Sequence, residues 1–148
     1  MTGSGTVLDL DVANRRAVVE PGAVHQSLQR AVLPHGVRFG PDPSSHTRCT
    51  IGGMIGNNAC GTKSLAYGRT SDNVTGMSLL LADGRAVETT TGVAGTPSLT
   101  GADDVVAALT DLTDAHLATI RTELGRFGRQ VSGYALEHLL PEHGRDVG

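Results

Sequence analysis

The amino-acid sequence predicts an α+β fold, a mostly antiparallel sheet flanked by helices. Three observations carry this. Residues 6–12 (TVLDLDV) and 16–20 (RAVVE) alternate apolar and polar side chains around the turn residue Asn14, as expected of a hairpin. Residues 74–82 (VTGMSLLLA), an apolar stretch, and 85–90 (RAVETT) flank Asp83-Gly84, a strong hairpin turn signal. Helical periodicity occurs between and after these pairs and does not alternate with single strands, so a doubly wound parallel sheet is not indicated. A chain of 148 residues suits one domain with one core.

Taken in order, Pro21-Gly22 ends the first hairpin. A helix follows from Ala23 to about Leu33, with Val24, Leu28 and Ala31/Val32 on one face, and Pro34 and Gly36 stop it. Val37 and Phe39 read as a short extended piece leading to Gly40-Pro41-Asp42-Pro43, which can be neither helix nor central strand. Thr50 to Ala59 reads as a short helix or turn, weakened by Gly52, Gly53 and Gly56. Val74–Ala82, the most apolar stretch, reads as a central strand with Arg85–Thr90 as its partner. Thr91–Gly101 reads as a mobile surface loop. The longest helix is expected over Asp103–Leu124, with Val106, Leu109, Leu112, Leu117, Ile120 and Leu124 as its apolar stripe and Gly125 as its stop. A second short helix, Tyr134–Leu140, ends at Pro141. The polar tail EHGRDVG is expected to fray.

Composition removes several function classes. Aromatic residues make up 3% of the chain and Trp is absent, which removes the usual stacking platform for single-stranded nucleic acid. A formal net charge of -3 leaves no basic footprint for DNA, RNA or anionic lipid. No apolar run approaches the length of a membrane span, and the first residues lack a charged-then-apolar signal pattern. Cys49 and Cys60 are too few for a disulfide framework, so a cytoplasmic location is expected.

The stretch from Gly40 to Asn73 is where function is expected. It is dense in Gly, Ser, Thr and Asn. Adjacent glycines bring backbone close to a ligand, consecutive amides can converge on an anion, and a helix start adds partial positive charge. Pro41 and Pro43 stiffen the approach; Ser44, Ser45, Thr47, Thr50, Asn57 and Asn58 offer hydrogen bonds. A diphosphate fits this donor list best. Gly-Lys-Ser/Thr is absent, so this is no P-loop, and the glycine spacing is not that of a Rossmann fingerprint. A Gly-rich structural loop is the competing reading of the same residues.

Three motifs carry a resemblance: Pro41-Asp42-Pro43-Ser44; Cys49-Thr50-Ile51-Gly52-Gly53-Met54-Ile55-Gly56-Asn57-Asn58-Ala59-Cys60-Gly61; and Tyr67-Gly68-Arg69-Thr70-Ser71-Asp72-Asn73-Val74. Together they resemble the second subdomain of the FAD-binding (PCMH-type) domain of the vanillyl-alcohol oxidase/p-cresol methylhydroxylase superfamily. Within it, the similarity is to the D-lactate dehydrogenase, glycolate oxidase and D-2-hydroxyglutarate dehydrogenase branch. Val18-Val19-Glu20-Pro21-Gly22-Ala23, Leu81-Ala82-Asp83-Gly84 and Val131-Ser132-Gly133-Tyr134-Ala135-Leu136 fit the flanking segments in the right order. The resemblance implies an FAD cofactor, and contacts to its pyrophosphate and adenosine parts from Pro41, Asp42, Ser44, Thr50, Ile51, Gly52, Gly53, Asn57, Asn58, Gly61, Tyr67 and Gly68. It implies a parent enzyme that oxidises a small D-2-hydroxy acid by hydride transfer to FAD. A flavin-dependent alditol or sugar oxidase and a non-catalytic binding or scaffold module are the alternatives.

The departures bear on activity. Nothing before Val7 matches the family's earlier Gly-rich pyrophosphate loop, and the substrate-binding cap would follow Tyr134. Residues 1–126 are thus expected to form a partial FAD-binding subdomain, with 127–148 starting a linker. Such a fragment is expected to bind FAD weakly or not at all, to lack catalysis, and to self-associate through apolar surface left open. Catalytic residues are not identified. Cys60 next to the Asn pair is a candidate for covalent flavin attachment, against the plainer reading of a filler thiol. His46, Cys49 and Cys60 lack zinc-ligand spacing, and no metal is expected. His25, His35, His116, His138 and His143 read as solvated surface residues. Asp72 reads as a cap or loop acceptor rather than a catalytic base.

Overall fold

A computed structural model describes residues 5–127 and 134–147. The chain forms two compact units, Met1–Asn73 and Val74–Gly148. The expected boundary at 126–127 abuts residues 128–133, which lie outside the described residues, as do Val131, Ser132 and Gly133 of the resemblance.

In the first unit, β1 (Val7–Asp11) pairs antiparallel with β2 (Arg16–Val19). The turn forms because the Asp11 carboxylate accepts both the backbone N–H and the side-chain amide of Asn14, which lets Arg15 adopt φ 54. Helix α1 (His25–Val32) runs on into a 3-10 turn, Leu33–His35. Pro34 lies inside that turn, and the stop is Gly36 at φ 72. Helix α2 (Ile51–Gly56) follows, then α3 (Ser64–Tyr67) and a 3-10 turn, Ser71–Asn73. Ala23, Leu28, Val32, Ile51 and Met54 form the buried core, with Val7, Leu10, Val19, Val37 and Phe39 packed around it. Val37 and Phe39 belong to no strand.

The buried face of α1 is His25, Leu28, Gln29 and Val32. It is rotated from the apolar stripe expected at Val24, Leu28 and Ala31/Val32. Val24 is the cap, its backbone taken by an isolated bridge to Thr50, and the turn of helix after it carries His25 inward. The expectation of a solvated His25 is therefore overturned: its exposure is 1%.

The second unit holds a three-stranded antiparallel sheet in the order β3 (Gly76–Leu80), β4 (Ala86–Thr90), β5 (Ser98–Thr100). Asp83-Gly84 makes the expected turn, with Gly84 at φ 89. The expected order within the sheet is corrected. β4 is central and buries Val87 and Thr89, whereas β3 is an edge strand with Leu79 and Leu80 exposed. The segment expected as a mobile loop supplies β5, and Thr91 anchors it through a hydroxyl bond to the Val74 carbonyl.

The expected single helix over 103–124 is two: α4 (Asp103–Ala115) and α5 (Leu117–Glu123), parted at His116. The hydroxyls of Thr110 and Thr113 bond back to the carbonyls of Val106 and Leu109, a contact that bends helices. Leu112 of the expected stripe is exposed and Thr113 is buried in its place. Gly125, at φ 63, stops α5 as expected. Residues 136–139 and 141–143 are 3-10 turns rather than one helix. The described part of the tail is anchored: Arg145 bonds Asp114, the Asp146 amide bonds the His138 carbonyl, and the Asp146 carboxylate accepts from the Gly92 N–H at 2.6 Å. Partners this distant in sequence are invisible to a local reading of a polar tail.

Candidate functional site

The candidate loop starts as a segment held against α1 by two side-chain bonds. Gln29 donates from Nε2 to the Phe39 carbonyl at 2.6 Å, and His25 Nε2 lies 2.9 Å from the Pro41 carbonyl. Asp42 then meets Lys63 at 2.8 Å, with Arg38 and His46 at 3.8 and 3.9 Å. The bond from Lys63 holds the Asp42 carboxyl below its ordinary range, against a smaller opposing effect of burial. Burial pushes the His25 imidazole down, opposed by the bond to Pro41 and the charge of Asp42.

A turn over 43–48 brings the chain to Thr50, which caps α2: its hydroxyl oxygen accepts from the Gly53 N–H at 3.2 Å. The remaining early amides of α2 are also used within the chain. Ile51 N–H donates to the Ala23 carbonyl and Gly52 N–H to the Pro21 carbonyl, both at 2.8 Å, and Met54 N–H bonds Thr50. The amides expected to converge on an anion are thus paired to protein carbonyls and, for Gly53, to the Thr50 hydroxyl, and what α2 presents outward is something else. Ile51 and Met54 face the core, while Gly53, Gly56 and Asn57 are exposed. That outer face is bare backbone ending in an amide side chain.

The glycines sort by what requires them. A side chain at Gly52 would press on Pro21, at Gly61 on the Asp42 backbone, and at Gly40 on the Tyr67 ring; Gly68 adopts φ 72 beside Asp72. These four have structural reasons. Gly53 meets only the capping Thr50 hydroxyl, at 3.1 Å, and a side chain on Gly56 would meet nothing within 4 Å. Gly56 has helical backbone and open space, so the fold would be better served by another residue there. A glycine that neither backbone nor packing requires leaves room for something outside the chain.

Beyond α2, Asn57 turns its Nδ2 onto the Gly53 carbonyl and Asn58, at φ 43, accepts from the Ser71 N–H at 3.0 Å. Thr70 is fully buried and bonds the Ala59 carbonyl through both its N–H and its hydroxyl. Asp72 accepts from the Arg69 N–H, the loop role expected of it. The structure thus gathers Pro41, Asp42 and Gly61 at one point, Thr50, Gly53 and Asn57 along α2, and Tyr67 and Gly68 against Gly40 and Asp72; Ser44 is exposed on the turn. No disulfide joins Cys49 and Cys60. Among the described residues, no group of three or more His, Cys, Asp or Glu is placed to hold a metal ion.

Sequence reasoning missed His25, Gln29, Thr70 and Ser71, which frame the loop. The signal was available for the first two: His25, Leu28, Gln29 and Val32 have the spacing of one helix face.

Comparison with known proteins bears on this loop directly. The FAD binding domain family matches residues 1–90, which include every residue of the candidate loop. D-2-hydroxyglutarate dehydrogenase of Pseudomonas putida is 30% identical over 146 residues, covering 94% of this chain and 14% of that protein. D-lactate dehydrogenase of Archaeoglobus fulgidus is 33% identical over 115 residues, 73% of this chain and 26% of that protein. Glycolate oxidase subunit GlcD of Bacillus subtilis is 41% identical over 83 residues, 56% of this chain and 18% of that protein. The chain thus spans about a quarter or less of the length of these relatives. No solved structure matches it. With a bare helix face that the fold does not require, and with the family matched over most of its length, the chain belongs to the FAD binding domain family.

Proposed function

We propose that this chain forms one wall of the FAD site of an oxidoreductase acting on a small D-2-hydroxy acid. The observation that carries the reading is the outer face of α2, where Gly53 and Gly56 leave backbone exposed beside Asn57. A flat, extended, anionic ligand needs such a surface. Its pyrophosphate and adenosine parts would lie against Gly53, Gly56 and Asn57, with Thr50, Asn58, Gly61, Tyr67 and Gly68 around them and Pro41, Asp42 and Ser44 at the entrance. Because the amides of Ile51 and Gly52 are bonded to protein carbonyls, those two residues would act by holding α2 in place. FAD, when bound, supplies the redox chemistry by accepting a hydride. The residues here bind and orient it and keep water from its edge; they do not meet the substrate. The substrate class rests on the names of the relatives, which are dehydrogenases and oxidases of 2-hydroxy acids. Location in the cytoplasm belongs to the same reading and suits two cysteines that share no disulfide.

The test is a titration of FAD with the chain, followed by flavin fluorescence and competed with ADP. Saturable quenching that ADP reverses is expected, weaker in Gly56→Leu although that variant folds. No quenching up to about 1 mM chain, the bottom of the useful affinity range, would remove the chain as an FAD holder in its own right. Self-association is part of the proposal, since Leu8 and Val18 stand exposed on the first hairpin. Sedimentation velocity should then show a coefficient that rises with concentration; a constant one removes it.

A further inference from the structure

The buried face of α1 has a feature that holding the core does not explain. Two of its four residues, His25 and Gln29, are polar, and both are more than nine-tenths buried. Each reaches a backbone carbonyl of the segment that enters the candidate loop: Gln29 to Phe39, His25 to Pro41. That segment belongs to no strand, so the two side chains supply the kind of bonds a neighbouring strand would give. His25 Nε2 lies 2.9 Å from the Pro41 carbonyl, which only accepts, and 3.3 Å from the Gln29 amide nitrogen, which only donates; the shorter contact assigns the proton to Nε2 and leaves Nδ1 a bare acceptor. Nδ1 is buried and has no hydrogen-bond partner.

We propose that His25 and Gln29 are positioning residues for the cofactor loop, and that His25 makes this positioning depend on pH. The neutral imidazole fits its site. A proton added at Nδ1 would create a buried charged donor with no acceptor, at a cost that favours release of the Pro41 segment. The groups around it are mixed. Asp42 draws a proton towards His25 but is already paired with Lys63; Arg38 and His46 oppose one, and Arg30 lines the same cavity. Burial is the largest influence and acts against protonation. The sign follows. Unfolded His25 takes a proton near its ordinary value of 6.5 while folded His25 resists, so the hold is fully present above that value and is lost as pH falls towards the lowered folded one.

The effect on the cofactor rests on the FAD reading; the effect on the loop does not. The experiment therefore has two readouts on the whole chain. By NMR, His25 should show the Nε2–H tautomer at neutral pH, and the amides of Phe39, Gly40 and Asp42 should shift as His25 titrates. In His25→Gln, which keeps a donor but cannot titrate, those shifts should stay flat as the pH is lowered from neutral through 6.5 and below. A His46→Gln control should leave them moving. FAD affinity should fall about tenfold across the same interval in the native chain. It should be independent of pH in His25→Gln, and weak throughout in Gln29→Met. An Nδ1–H tautomer, or amide shifts that ignore His25, overturns the proposal. Amide shifts that follow His25 while FAD affinity stays flat overturn its cofactor half. If no variant binds FAD at any pH, the FAD reading has failed, and the NMR arm alone decides whether His25 controls the loop.

Discussion

Gly56 and Gly61 sit five residues apart, and the structure predicts opposite consequences for the same substitution. At Gly61 a methyl group would run into the backbone of Asp42. Gly61→Ala should therefore lower stability by about 1–3 kcal/mol, measured by urea unfolding, because backbone on both sides must shift. At Gly56 the same methyl meets open space on a helix, so Gly56→Ala should raise stability by up to about 1 kcal/mol while weakening FAD binding. A gain in both, or a loss in both, would contradict the reason given for this glycine. Thr50→Ala should cost about 1 kcal/mol, and Thr50→Ser should restore most of it, since only the hydroxyl oxygen caps Gly53. At this scale the cap of Thr50 on α2 was legible, because a hydroxyl residue ahead of a short helix is a local signal. The role of His25 was not: a helix residue lies inside or outside according to where the helix starts, and the bridge of Val24 to Thr50 sets that start.

Among the elements, hairpins were the most legible, since turn chemistry at Asn14 and Asp83-Gly84 is local. Strand order was not, because being apolar does not make a strand central. β3 is the most apolar and lies at an edge, while the charged and Thr-rich β4 pairs on both sides. Breaks within helices escaped for a related reason: Thr110 and Thr113 fit a helical pattern, and their hydroxyl bonds to the preceding turn, just ahead of the break at His116, cannot be read from it. Helix α5 offers a test of its stop. Gly125 combines φ 63 with close approach of the Glu137 side chain, 3.1 Å from where a Cβ would sit. Gly125→Ala should cost about 1 kcal/mol or more in urea unfolding, and Gly125→Asn, which tolerates this backbone, should cost less.

For the whole molecule, every resolved shift of an acidic group points the same way. Asn14 lowers Asp11, Thr6 lowers Glu20, Lys63 lowers Asp42, and Arg85 lowers both Asp83 and Asp104; Arg121 holds Glu142 down to about 2. Carboxyls lowered on folding contribute stability above their ordinary values of 3.8 to 4.5 and lose it as pH falls below. Buried His25 adds a loss that begins higher, near 6.5. Unfolding midpoints in urea should therefore decline in two stages on acidification, and His25→Gln should abolish the upper stage alone. Most of the carboxyl partners are exposed, so each contributes little and the lower stage should be shallow. The fold class and the family were legible because they rest on ordered motifs along the chain, whereas the anchored tail depends on contacts such as Asp146 with Gly92, far apart in sequence. The paired amides of Ile51 and Gly52 have one more consequence. Their protons are tied to the carbonyls of Ala23 and Pro21 at the root of the core, so neither can exchange with deuterium unless that corner separates. Their exchange rates should therefore be among the slowest in the first unit, and would time how often α2 comes away from the core.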